Sequence, residues 1–262
     1  MVTIRNISID DTNIRYIRFG TGLKNLIIIP GLYIFDIMNS KDFIEEAFRS
    51  FEDEYTIYLF ERRVNIPNNF SLLDYADDLY KCINYFSLDN IYLFGASLGG
   101  IISEIIGYKY PKNIKKIILA GTTSYVDDNA KEFFNKLIDL ATNNKIEDLL
   151  NLFLDKLYTK EYANSIRTSI LNLKNTITSI ELTHFIKTAN MLLSIDIREY
   201  ISNIKPELFI FGAKGDEIFG ENAINEILKY IKCDTFIYEG SCHAFYDVES
   251  DFRTRLRKEL NK

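Results

Sequence analysis

Ile91-Tyr92-Leu93-Phe94-Gly95-Ala96-Ser97-Leu98-Gly99-Gly100 is a short apolar run that leads into Gly-x-Ser-x-Gly and then into a stretch, to Tyr110, whose apolar positions recur at three and four. It reads as a buried strand, a tight turn and an apolar helix. A serine that is to act as a nucleophile must project from a very sharp strand-to-helix turn. Glycines two residues before and after it let that turn close without a β-carbon striking the neighbouring elements, and Gly95 and Gly99 fill those positions. The helix that follows aims unpaired amides and its positive end at the place where an oxyanion would form, with the Leu98 amide as one donor. A bare Gly-x-Ser-x-Gly is commonly just a glycine-rich turn whose serine caps a helix. Here the strand before, the helix after and the place of the motif in the third parallel-strand run favour the catalytic reading of Ser97.

A serine hydroxyl needs a base to take its proton. The chain has two histidines. His243 lies in Glu239-Gly240-Ser241-Cys242-His243-Ala244, just past the last strand-like run, and is the expected base; His184 lies within a helical stretch and is expected at most to line the pocket. The imidazole in turn needs a carboxylate to fix its tautomer. Asp216, after the run Leu208-Phe209-Ile210-Phe211, is that candidate, with Glu217 and Asp196 as alternatives.

Outward from this centre, strand-like and helical runs alternate, the pattern of a mostly parallel sheet covered on both faces. Val2 to Ile9 and Asn13 to Phe19 read as an antiparallel hairpin. Leu26 to Ile29, Tyr55 to Phe60, Ile91 to Phe94 and Lys116 to Leu119 read as central strands, joined by helices over Asp42 to Phe51, Ser71 to Phe86 and Leu98 to Tyr110. From about Asp127 to Tyr200 only helical segments occur, such as Lys131 to Ala141, Ile146 to Leu157 and Ile180 to Leu193. Strands resume at Glu207 to Phe211 and Thr235 to Tyr238, with a helix over Ala223 to Ile231 between them and a charged helix from about Val248. The expected organisation is a core of residues 1–125 and 201–262 with a helical cap inserted at 126–200.

Composition bounds the possibilities. The 262 residues, 47% hydrophobic with four prolines, suffice for one substantial core. The 31 Lys and Arg against 37 Asp and Glu give a net charge of -6, without a basic block that would track phosphates, so no nucleic-acid partner is expected. The first residues lack the basic head and apolar stretch of a secretory signal, and no apolar run reaches the ~30 Å of a hydrocarbon core. Cys82, Cys233 and Cys242 have no metal-ligand spacing. A cytoplasmic protein without membrane span, metal or organic cofactor is expected; the sequence assigns no oligomeric state.

These residues together resemble the α/β-hydrolase superfamily, from the first hairpin to the last helix. The stretch Tyr85 to Gly121, with the elbow, Tyr110-Pro111 and Ile117-Ile118-Leu119-Ala120-Gly121, is similar to the small capped esterases, C–C bond hydrolases and cofactor-free perhydrolases. The resemblance implies an eight-stranded, mostly parallel sheet flanked by helices, with a helical cap after the sixth strand, and it carries the order nucleophile, acid, base onto Ser97, Asp216 and His243. It also implies a second oxyanion donor in the loop after the first parallel strand, here Ile29-Pro30-Gly31-Leu32, which assigns the Leu32 amide. Members usually have His-Gly where this chain has Pro30-Gly31. Many have Asp-x-x-Gly where it reads Glu61-Arg62-Arg63-Val64, a solvated or salt-bridged loop or an anion-binding patch near the mouth.

The expected chemistry is acyl transfer on a small-molecule ester or related acyl substrate: Ser97 attacks, the Leu32 and Leu98 amides hold the oxyanion, and His243 shuttles protons. Gly31, Phe134, Phe153, Tyr158, His184 and Met191 are the candidate substrate contacts. The alternatives on the same residues are acyltransferase, perhydrolase, thioesterase or C–C bond hydrolase, or a non-catalytic binding protein on the same fold.

Overall fold

The structure, a computed structural model, describes residues 2–220 and 222–262. Its strands are β1 Arg5–Ile9, β2 Thr12–Phe19, β3 Lys24–Ile29, β4 Tyr55–Phe60, β5 Ile91–Ala96, β6 Ile114–Ala120, β7 Glu207–Ala213 and β8 Asp234–Tyr238. The helices are α1 Lys41–Phe48, α2 Leu72–Tyr85, α3 Leu98–Lys109, α4 Asp128–Thr142, α5 Ile146–Leu157, α6 Lys160–Asn172, α7 Ser179–Leu192, α8 Arg198–Ile201, α9 Ala223–Leu228, α10 Phe245–Val248 and α11 Phe252–Leu260. One sheet of eight strands runs in the order β1-β2-β4-β3-β5-β6-β7-β8. The β1–β2 and β2–β4 pairs are antiparallel and all others parallel.

The β1–β2 hairpin turns on Asp10-Asp11, with Ile9 paired to Thr12 and Asp10 at φ +50°, a left-handed conformation that a short acidic side chain tolerates. The central strands are continuous apolar runs because both faces of the sheet are covered. In β3, Ile27 and Ile29 join the core under α2 and α3, while Leu26 and Ile28 face the other way with Phe48 of α1 and Phe252 and Leu256 of α11. Helices α4 to α8 all fall between β6 and β7. The two ends of that excursion are pinned together, for Val126 N–H donates to the Ile195 carbonyl at 3.3 Å and Ile197 N–H to Ser124 at 2.9 Å.

Two expectations are corrected. The charged helix expected from about Val248 begins at Phe252, because Glu249 leaves the helical region (φ −70°, ψ 118°) and ends the one-turn α10. The helix expected over Ala223 to Ile231 stops at Leu228. Helix α6 had no clear apolar stripe to announce it, and Ala163 is its one buried residue.

Behind the elbow, α3 carries Glu104, which is fully buried. Its Oε1 accepts a 2.9 Å hydrogen bond from the Ser124 hydroxyl, and its Oε2 has no partner among the described residues. Burial holds this carboxyl well above the ordinary glutamate value of 4.5, the Ser124 bond offsetting only part of the effect. The folded protein therefore keeps a proton that the unfolded chain releases. The stabilising contribution is complete below 4.5 and is lost as pH rises toward the raised folded value, at up to about 1.4 kcal/mol per pH unit. Urea unfolding of the protein and of Glu104→Gln between pH 5 and 8 is expected to show a shallower decline in the variant; parallel curves would mean that Glu104 ionises freely.

Candidate active site

Ser97 stands between β5 and α3 at φ +52° and ψ −121°, backbone that a non-glycine residue adopts only under constraint. The constraint is packing. A β-carbon on Gly99 would lie 1.9 Å from the Ile29 carbonyl oxygen, and one on Gly95 would lie 2.3 Å from Ser103 Oγ and 2.4 Å from the Gly99 carbonyl oxygen. Only glycine allows the helix to start this close to β3. Ser97 N–H is tied to the Ala120 carbonyl at 2.8 Å, and the Ser97 carbonyl accepts from Gly100 N–H at 2.9 Å and Thr122 Oγ1 at 2.7 Å. The hydroxyl is thereby aimed beyond the carboxyl edge of the sheet.

His243 meets it there. Its Nε2 is 2.9 Å from Ser97 Oγ, and its Nδ1 is 2.8 Å from Asp216 Oδ2. The other Asp216 oxygen, Oδ1, accepts the Ile218 and Phe219 amides at 2.9 and 3.1 Å. Burial alone would raise the Asp216 pKa; the His243 ring and the two amides outweigh it and hold the carboxyl below its ordinary range. An ionised Asp216 makes Nδ1 the protonated nitrogen and leaves Nε2 to accept from the serine. The ring is buried, flanked edge-on by Phe219 at 5.3 Å and Tyr246 at 6.3 Å. Its loop is tied to the helices beyond β6, since Ala244 N–H donates to the Leu157 carbonyl at the end of α5 at 2.9 Å.

The loop after β3 passes over the serine: a β-carbon on Gly31 would lie 3.1 Å from Ser97 Cβ. Neither the Leu32 nor the Leu98 amide donates to another described residue. The alternative acids lie elsewhere. Glu217 pairs with Lys156, and Asp196 pairs with Arg198 at 2.6 Å.

A cavity of about 390 Å³ adjoins this centre. Gly31, Leu32, Ala96 and Ala244, neighbours of the relay in sequence or space, line it, and Phe153, Leu157 and Tyr158 of the α5 region complete the wall. Of the sequence candidates, Gly31, Phe153 and Tyr158 line it. Phe134, His184 and Met191 do not. Phe134 packs behind Phe219 at 6.1 Å, one layer back from the histidine, and His184 Nε2 lies 2.7 Å from the Val64 carbonyl. The contribution of Tyr246 and Asp247, in the one-turn α10, and of Arg253, in the charged α11, was not anticipated, because nothing local marks which of these residues turns toward the cavity.

The Glu61-Arg62-Arg63 segment is the salt-bridged loop among the three expectations, not a solvated loop or an anion patch. Arg63 forms a two-pronged ion pair with Asp78 at 2.7 and 2.9 Å. Arg62 is buried, stacks on Tyr33 at 3.9 Å and donates to Thr188 Oγ1 on α7 at 2.6 Å. Tyr33 also donates to Glu61, and the Asp36 amide donates to Glu181 of α7 at 2.8 Å. The loop that carries Leu32 is thus clamped between β4 and α7. Arg62→Met is expected to cost about 3 kcal/mol in urea unfolding, toward the low end for a broken buried pair because Arg15 stays near Glu61. That distance is 3.6 Å. No change in stability would show that the clamp carries nothing.

No helix among the described residues is long and apolar enough to cross a membrane, and among them no group of three His, Cys, Asp or Glu side chains is placed to hold a metal ion.

A sheet with this strand order and a serine at this turn define a class. The profile of the alpha/beta hydrolase fold matches residues 24–250, and the chain belongs to that family. Serine hydrolase BPHL of Mus musculus is 23% identical over 172 residues, which cover 62% of this chain and 56% of that protein. RutD of Serratia proteamaculans (strain 568) is 24% identical over 83 residues, 32% of this chain and 31% of its own length. The chain therefore spans about a third and just over half of the curated relatives it matches. Among solved structures, the enol-lactonase from Burkholderia xenovorans LB400 superposes with a TM-score of 0.85 at 12% identity, covering 98% of this chain and 100% of that one. An esterase from Exiguobacterium antarcticum gives 0.82 at 21% identity with full coverage of both chains, 100% and 100%. At these identities the likeness speaks for the fold.

Proposed function

We propose that the protein is a serine hydrolase that cleaves a carboxylic ester, or a related acyl bond, of a small and largely hydrophobic substrate through an acyl-enzyme on Ser97. The observation that carries this reading is the continuous relay from Asp216 through His243 to Ser97 Oγ, at 2.8 and 2.9 Å, opening beside an apolar cavity. Ser97 attacks the carbonyl as His243 Nε2 takes its proton, and the Leu32 and Leu98 amides receive the developing oxyanion. The imidazolium, stabilised by Asp216, returns the proton to the leaving alcohol. Water then enters by the same route and releases the acid. The helices between β6 and β7, residues 126–200, act as a cap whose α5 end completes the cavity.

The reading is tested with p-nitrophenyl acetate, butyrate and octanoate and with a fluorophosphonate probe. A chain-length preference together with stoichiometric labelling that maps to Ser97 is expected. No labelling and no turnover would move weight to a non-catalytic ligand-binding role, and labelling without ester turnover to another acyl acceptor or bond.

A further inference from the structure

The cavity is not apolar throughout. Its wall passes from Ala96, next to Ser97, to Phe94 two residues back on the same face of β5, then to Phe48 with ring centroids 6.0 Å apart, and on to Arg253, whose guanidinium lies 4.5 Å from the Phe48 ring. Asp247 and Tyr158 share this region, the Tyr158 hydroxyl donating to Asp247 Oδ2 at 3.3 Å. Arg253 makes no hydrogen bond and no ion pair with any described residue, and its Nη1 is buried without a partner. It stacks only on Phe48 and Phe252. Asp247 keeps accessible surface, yet protein packs closely enough around it to raise its pKa by desolvation, against the pull of Arg253, Tyr158 and His243. The same desolvation lowers the Arg253 pKa, opposed by the charge of Asp247. Asp247 is an exposed residue at the part of the cavity wall that Arg253 also lines.

A buried guanidinium nitrogen without a partner is costly unless a ligand completes its group, and the exposed carboxylate of Asp247 on the same cavity wall is open to that ligand as well. We propose that Arg253 and Asp247 form the polar end of the substrate cavity and receive an uncharged group that both accepts and donates hydrogen bonds, a carboxamide or a hydroxyl, on the chain of the substrate. The inference rests on this cavity being the substrate's. The choice follows from charge. A carboxylate would satisfy Arg253 but be repelled by Asp247, an ammonium would meet the reverse, and a bare alkyl end would leave both unpaired. A carboxamide oxygen accepts from the guanidinium while its N–H donates to the carboxylate.

The test measures binding rather than turnover, by ligand-observed NMR titration of Ser97→Ala protein with hexanamide, hexanoate, hexylammonium and toluene. Hexanamide is expected to bind about tenfold more tightly than either charged analogue. Arg253→Met and Asp247→Asn, each added to Ser97→Ala, are expected to weaken hexanamide about tenfold and leave toluene unchanged. Should the methionine variant fail to fold, Arg253→Lys, which keeps the charge and loses the planar fork, is expected to show the same selective loss. Hexanoate or hexylammonium binding best, or hexanamide indifferent to both substitutions, overturns the assignment. Ester turnover by the unsubstituted protein without a hexanamide preference leaves the serine hydrolase standing and removes only the polar end; the preference without turnover does the opposite.

Discussion

Ser97→Ala is expected to lower kcat/KM for p-nitrophenyl butyrate by about 10⁴-fold or more, because the atom removed is the proposed nucleophile. Ser97 Oγ is the group placed 2.9 Å from His243 Nε2, so the histidine in the variant has no hydroxyl to deprotonate. On the proposed mechanism the Leu32 and Leu98 amides remain to hold an oxyanion, so a residual rate above that of water is expected rather than none. Alanine occupies the same strained backbone as serine, and the side chain is small, so the melting temperature should move little. A variant that stays folded and retains the parent rate would place the nucleophile elsewhere and remove the basis of the acyl-enzyme.

How much of this was legible in the sequence differs between elements for physical reasons. The central strands announced themselves because strands covered on both faces must be apolar at every position, and Ile27 and Ile28 point to opposite cores. The elbow was legible because the turn admits only glycine at two fixed offsets. Ser97, Asp216 and His243 each follow a strand at the carboxyl edge of the sheet, so their order in the chain was enough to bring them together. Which helical side chains face the cavity was not legible. Phe134 and Phe153 carry the same side chain in neighbouring helices, and only the packing of α4 against Phe219 turns the first away. The sequence left Arg62 open between a solvated charge, a salt bridge and an anion patch because its partners, Tyr33 and Thr188, come from 29 residues before and 126 after it. Arg253 sits among Arg255, Arg257 and Lys258, and nothing local distinguishes the one that turns inward.

The clamp on the loop and the relay at the histidine act on different parts of one reaction. Arg62, Tyr33 and Glu61 fix the loop that carries Leu32, whereas Asp216 and Ala244 fix His243, the second through the end of α5. The helices beyond β6 touch both, α7 at Thr188 and Glu181 and α5 at Leu157. Displacing them would therefore loosen the Leu32 loop and the His243 loop together.

Asp216→Asn is expected to reduce kcat by about 10⁴-fold while leaving the fold intact, and the hydrogen bonds of Asp216 say why. Oδ1 accepts the Ile218 and Phe219 amides, and Oδ2 faces His243 Nδ1. An asparagine must keep its oxygen toward the two amides, because its NH₂ has nothing to donate to there. The NH₂ is then directed at Nδ1, which must accept, and the ring proton moves to Nε2. His243 would present a donor to Ser97 Oγ in place of the lone pair that takes its proton. The variant thus keeps every heavy atom in place and reverses the direction of proton transfer. Because Asp216 is held below the ordinary carboxyl range, its ionisation is complete through the neutral region. In the variant, rates should climb at alkaline pH, where hydroxide can replace the lost base. A loss confined to KM, or a profile unchanged in shape, would show that Asp216 only supports the loop.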